Sequence, residues 1–191
     1  MPRFKEYDKE KVLEKATQLF LKKGFKGTSM NALVAVTGLH RRSMYTEFKD
    51  KEGLFLACID NYLNSVGEKV GVILRQEPQG IGNIETFFRD RIAYASSGSC
   101  KGCLIVNTTV EKESISKQIE EKILKSLQMT EKEFYKCLQA AKKKGELGPT
   151  RDCKSLAKYL MCFLQGLMVM GKTNPPKKSL EPVLDSVLGA L

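Results

Sequence analysis

Residues 24–55 read GFKGTSMNALVAVTGLHRRSMYTEFKDKEGLF. Met30, Leu33 and Val34 recur at helical spacing, and Thr37-Gly38-Leu39 interrupts the run with a turn signal. His40-Arg41-Arg42-Ser43 then opens a second short helix whose inward positions are Met44 and Phe48. A helix, a glycine-bearing turn and a basic helix in that order is the layout of a helix-turn-helix, which sets its second helix in the major groove of DNA. So short a helix cannot hide Arg41 and Arg42 in a core, so both must face solvent or a phosphate-lined groove.

The helical period extends outward from this stretch over nearly the whole chain, and no alternating strand run reaches convincing length. Asp8 is placed to cap a helix over Lys9–Lys23 with Val12, Leu13, Ala16, Leu19 and Phe20 inward and Gly24 as its stop. Ser29 is a cap for the next helix, a third spans Arg41–Glu47, and Asp50 caps a fourth over 51–75. Gln76 to Asn83, with Pro78, Gly80 and Gly82, is the clearest break. Helices are expected beyond it over 84–95, 102–111, 116–144, 152–170 and 180–191, with Pro182 in the first turn of the last. The fold class is therefore all-α, with about nine helices. Residues 1–52 form a helix-turn-helix domain, residues 53–191 a second helical domain, and the fourth helix links the two.

The chain has 191 residues, 42% hydrophobic and 28% charged, enough for a sizeable core, and a net charge of +10. Residues 1–51 carry 12 Lys/Arg against 6 Asp/Glu, whereas the remaining 140 carry 20 against 16. The excess at the N-terminal end fits a polyanionic partner there. MPRFKEYDKEK has no apolar run for a signal peptide or membrane anchor, and the apolar block Tyr159–Met170 is too short to span a bilayer. A cytoplasmic protein with no membrane partner is expected, its six cysteines being thiols. Paired carboxylates, a Cys–His pair and a phosphate-binding glycine loop are all missing, so the chain reads as no enzyme, and no cofactor or metal is expected.

Residues 9–66 resemble the TetR family of bacterial transcriptional regulators, through LF-LKKGF, GTSM, TGL, SMYTEF and KDKEGLF. Downstream, GCLIVNTTVE over Gly102–Glu111 looks like the sixth helix of one branch of that family, with a G-C-L-x-x-N pattern. Double-stranded operator DNA is the implied partner. Arg3 and Lys5 form an arm able to reach the backbone or minor groove. Thr28 and Ser29 stand at a helix start that suits a phosphate oxygen, and Arg41, Arg42 and Ser43 occupy the first turn of the reading helix. By resemblance Tyr45 gives its hydroxyl to a phosphate, while Lys49 and Lys51 flank the exit. His40 stands where a small capping residue is common in the family and is either a cap or a DNA contact. Arg42 occupies a position often held by Gly or Ala in relatives. Glu47 is either a salt-bridge partner or an acceptor for a cytosine amino group.

Cys100-Lys101-Gly102-Cys103 admits a structural zinc site, a thioredoxin-like motif, an oxidant- or electrophile-sensing thiol, or ordinary packing. The zinc reading lacks a second ligand pair and the thioredoxin reading lacks a βαβ context. The resemblance implies an effector pocket in the second domain, for which Phe88, Ile92, Leu104, Phe134, Leu138, Leu164 and Met168 are candidate walls and Asn107 a polar contact. Such a lining favours a small hydrophobic effector. The helix over 152–170 is apolar nearly all round and needs a cover, either as a central core helix or in a homodimer. For the homodimer, Leu160, Phe163, Leu167, Val183 and Val187 are the candidate interface residues.

Overall fold

Asp8 starts the first helix: its carboxylate accepts the amide of Lys11 at 3.2 Å, which holds the carboxyl below its usual range. The computed structural model describes residues 7–191 and every side chain among them except those of residues 69 and 70. Arg3 and Lys5 of the expected arm lie outside the described residues. Helix α1 (Lys9–Lys23) ends at Gly24, which adopts φ +74° and returns its N–H to the Phe20 carbonyl. Ser29 caps α2 (Met30–Thr37), accepting from the Ala32 amide. Gly38 takes the left-handed turn at φ +72° that leads to α3 (Arg41–Phe48). Asp50 caps α4 (Lys51–Arg75) through the amide of Gly53 at 2.8 Å. Then follow α5 (Ile81–Ala95), α6 (Leu104–Thr109), α7 (Lys117–Lys143), α8 (Cys153–Met170) and α9 (Lys177–Gly189), with single 3-10 turns at Lys112–Ser114 and Gly171–Thr173. The described residues thus hold nine α-helices and no strand.

Three helix starts differ from the expected ones by two residues or more. Helix α5 begins at Ile81 rather than residue 84, because Asn83 accepts the Gly80 amide at 2.8 Å and Glu146 accepts that of Ile81 at 3.0 Å. Helix α6 starts only at Leu104, since Gly102 has φ +81° and cannot continue a right-handed helix. Helix α9 starts at Lys177, which makes Pro182 an interior residue rather than a first-turn one.

Two hydrophobic cores fill the structure. One joins Val12, Ala16 and Phe20 of α1 to Leu33, Met44, Phe48, Leu54 and Phe55. The other gathers Phe87, Phe88, Ile92, Phe134, Leu138, Leu160 and Leu184. They do not divide at residue 52, because Leu104 and Ile105 of α6 and Ile119 and Ile123 of α7 pack into the first core. Val106, the next residue of α6, packs into the second. Within the second core the Phe87 ring stands edge-on to Phe134 at 5.2 Å, and Phe88 stacks on Phe134 at 5.5 Å. No described helix is long and apolar enough to cross a membrane. Phe134→Ala is expected to cost about 3–5 kcal/mol through the cavity it leaves. Val110→Ala, at an exposed position, should stay within about 0.5 kcal/mol; urea titrations at fixed protein concentration compare the two.

Candidate nucleic-acid interface

Helix α3 is attached by two residues. Met44 is fully buried and Phe48 nearly so, in the core with Leu33, Leu39 and Leu54. With those anchors inward, Arg41, Arg42, Tyr45, Thr46 and Lys49 are all exposed. Together they make one outward stripe, as the helical period requires. The Arg41 guanidinium lies 5.8 Å from the centre of the Tyr45 ring and donates to Asn31 Oδ1 at 3.2 Å. That bond ties the start of α2 to the start of α3, so Asn31 shares the exposed face. His40 precedes α3 and makes no side-chain cap bond, so its capping role falls. The first amides of α3 are therefore left without a capping side chain, beside two arginines, where a phosphate oxygen would satisfy them.

Glu47 bonds Lys9 of α1 at 2.9 Å, with its side chain 15% exposed, which draws its charge away from the outward stripe. Ser29 is exposed and spends its oxygen on the cap of α2, while Ser43 is half-buried. Lys49 is exposed at φ +67°. One expected backbone contact needs correction, and a second residue has a further role. Thr28 is buried, with its hydroxyl donating to the Gly24 carbonyl at 2.6 Å, so it braces the turn before α2. Lys51 donates to the Phe25 carbonyl at 3.0 Å and lies 4.3 Å from the centre of the Phe25 ring, so it braces the same turn. Asn31 and Thr46 were missed in the sequence. Thr46 follows from Arg42 at one helical turn, whereas Asn31 is recognised only once Arg41 is seen to reach it.

A cavity of about 530 Å³ lies among α4, α5, α6, α7 and α8. Of the expected wall residues it takes Leu164 and Met168. Phe88, Ile92, Phe134 and Leu138 are buried in the second core and Leu104 in the first, none of them on the wall. Asn107 instead donates to the Lys101 carbonyl at 2.9 Å and packs against Gly102, where a Cβ would stand 2.7 Å from its oxygen. Residues not foreseen line the space, among them Tyr62, Phe87, Arg91, Tyr94, Met161 and Gln165. Burial pushes the Tyr62 and Tyr94 hydroxyls above their usual range, so both are neutral donors, Tyr62 to Cys103 Sγ at 3.4 Å and Tyr94 to the Gly102 carbonyl at 3.2 Å. Glu133 also reaches the wall; one carboxylate oxygen accepts from Lys136 at 2.9 Å and the other is buried without a hydrogen bond.

All six cysteines are unpaired thiols. Burial pushes Cys58 up to about 12 and Cys137 up to about 11, so both stay protonated in their cores. Cys103 is on the cavity wall, whereas Cys100 accepts the Gly102 amide at 3.4 Å and packs against Gly171.

Residues 12–58 match the family described as bacterial regulatory proteins, tetR family, and residues 80–186 match the Tetracyclin repressor-like, C-terminal domain. The chain belongs to the TetR family. It is therefore a DNA-binding transcriptional regulator rather than an enzyme. Among its relatives, YezE of Bacillus subtilis (strain 168), an uncharacterized HTH-type transcriptional regulator, is 30% identical over the whole of both chains. The transcriptional repressor ComR of Escherichia coli (strain K12) is 28% identical over 96% of this chain and 89% of its own. The TetR-family fold recurs in a cysteine mutant of the regulator CifR solved on a 26-base-pair operator duplex, with 25% identity, a TM-score of 0.87, and coverage of 98% of this chain and 99% of that one. The reduced form of E. coli NemR shares the fold at 20% identity, with a TM-score of 0.82 over 93% of each chain.

For this TetR-family chain, replacing Arg41 and Arg42 together by alanine should abolish sequence-specific binding, since an arginine that pairs with guanine is worth about 1–3 kcal/mol of discrimination. Tyr45→Phe should weaken binding evenly across sequences, as loss of a phosphate contact does. Gel shifts across a salt series distinguish the two, and undiminished specificity in the double variant would overturn the assignment.

Proposed function

We propose that this regulator is a homodimeric repressor that binds a palindromic operator and is released by a small molecule held in the cavity. The observation that carries the reading is the attachment of both features to one framework: α3 is packed on α4, and α4 runs on to form a wall of the cavity. A ligand favouring a dimer whose reading helices no longer match grooves about 34–36 Å apart lowers operator affinity. The unpartnered oxygen of Glu133 beside Phe87, Met161 and Met168 suits an apolar compound bearing one hydrogen-bond donor. Acting on DNA, such a protein works in the cytoplasm.

The face available for dimerisation differs from the expected one. Leu160, Leu167 and Val187 are buried within the protomer, and Phe163 is tilted against Phe88 at 4.9 Å. Tyr159, Cys162, Gly166, Val169 and Met170 are exposed on α8, with Val183 exposed on α9. These positions on α8 follow the helical period, and we assign them to a contact between two copies.

Cys103 favours a second reading, in which modification of this thiol replaces ligand binding, since it shares the cavity wall with the Tyr62 hydroxyl that donates to it. A Cys103→Ser variant separates the two: under thiol gating it keeps its operator affinity and no longer releases DNA on oxidation. Under the first reading the variant and the native protein are released alike by an apolar compound found in a screen of the operator complex. If no compound or oxidant releases the DNA, both readings fail. Gly166 has open space where a Cβ would stand, so Gly166→Arg leaves the protomer intact. It is expected to yield monomers in light scattering and to lower operator affinity by about 10²-fold or more, through the lost linkage of two half-sites; a stable dimer would overturn the α8 assignment.

A further inference from the structure

We infer that Glu111 is the positioning residue through which the state of the cavity wall reaches the DNA-reading unit, an inference that rests on the ligand-gated reading above. Glu111 lies two residues beyond the end of α6. Its carboxylate accepts two successive backbone amides of the turn between α1 and α2, Phe25 at 3.2 Å and Lys26 at 2.9 Å. Paired amides on one carboxylate form a directional, charge-assisted clasp. Gly24 makes room for it: at φ +74°, a Cβ there would stand 2.2 Å from the nearer Glu111 oxygen. The clasped turn is gripped from its other side by Lys51 of α4, which donates to the Phe25 carbonyl at 3.0 Å.

The other end of α6 is also tied to α1, where Lys101 Nζ donates to Gln18 Oε1 at 2.7 Å. That pair is exposed and joins two long side chains, so it holds far less firmly than a carboxylate on two amides. Between these ties, Ile105 and Val106 line the cavity, and Leu104 and Ile105 pack into the core that supports α3. Leu104, Ile105, Val106 and Thr108 are all buried, so this short helix is held by packing on both sides and moves as one packed unit. Displacement of α6 is therefore passed on as a rigid shift of Glu111, which moves the turn at Gly24–Lys26 and with it the start of α2. Helix α4 holds this turn through Lys51 and the segment after α6 holds it through Glu111, and the two together set the angle of the reading unit.

Linkage makes this testable without knowing the effector: if the wall acts on DNA binding, operator binding must act on the wall to the same degree. Cys103, immediately before α6 and on the cavity wall, is the reporter. Its rate of alkylation by iodoacetamide, resolved from the other thiols by peptide mass spectrometry, is measured with and without a saturating operator duplex selected by the native protein from a random pool. The native protein is expected to show a change of about fivefold or more. Glu111→Ala, saturated at whatever protein concentration it needs, should show less than half the native change in rate between the two conditions. Glu111→Gln, which keeps one accepting oxygen and puts an NH2 that cannot accept in place of the other, should respond by less than the native protein, and it carries the test if the alanine variant does not fold. A native-sized response in a folded variant overturns the role of Glu111 alone. No response in the native protein removes the ligand-gated reading, and this inference with it.

Discussion

The burial of Met44 and Phe48 is the contact on which the rest of the structure depends. Helix α3 is 8 residues long, too short to be stable in water alone. It holds its shape because Met44 is fully buried and Phe48 nearly so, against Leu33, Leu39 and Leu54. Once these two positions face inward, the helical period leaves Arg41, Arg42, Tyr45 and Lys49 no other direction than outward. The supporting layer is aromatic. Phe20 meets Phe55 edge-on at 4.6 Å, and Phe25 lies 4.9 Å from Phe55. The same core that stabilises the N-terminal helices therefore aims the basic stripe.

Helix α6 makes a single unit of what the composition would allow as two. Leu104 and Ile105 belong to the core beneath the reading helix, whereas Val106 belongs to the core around Phe134. Separating the two halves would expose side chains from both, at roughly 25 cal/mol for each Å² of apolar surface. Motion between them thus takes the form of small shifts of packed helices rather than free hinging. That suits the proposed ligand gating, in which a change at the cavity would arrive at α3 as a change of angle. The cavity itself combines apolar walls with a few polar groups whose bonds are already made, such as the Tyr62 and Tyr94 hydroxyls, and the single buried carboxylate oxygen of Glu133 that has none.

Several features were legible in the sequence because they are local. Asp8, Ser29 and Asp50 cap α1, α2 and α4 as their residue types and positions announce, and Gly24 and Gly38 end helices with positive φ. The exposed basic stripe of α3 follows from spacing alone. Thr28 misled for a physical reason: its hydroxyl suits a phosphate, yet the Gly24 carbonyl lies within reach and takes the bond, with the side chain buried. Among apolar residues the sequence does not distinguish a wall from a core. Phe88, Phe134 and Leu138 are as hydrophobic as Leu164 and Met168, and only the second group faces the cavity.

By itself, then, the sequence determined the all-α class, the caps of α1, α2 and α4, the stops at Gly24 and Gly38, the position of the helix-turn-helix and the side of α3 that carries its charge, since each depends on neighbours within a turn or two of chain. Only the tertiary structure decided which face of α8 is left exposed, which residues enclose the cavity, and that Glu111 reaches back 86 positions to the amide of Phe25. Those outcomes depend on the angles at which helices cross and on which of several apolar faces meets which partner. Periodicity shows that a helix has a face to bury, but the packing of the other helices decides what that face meets.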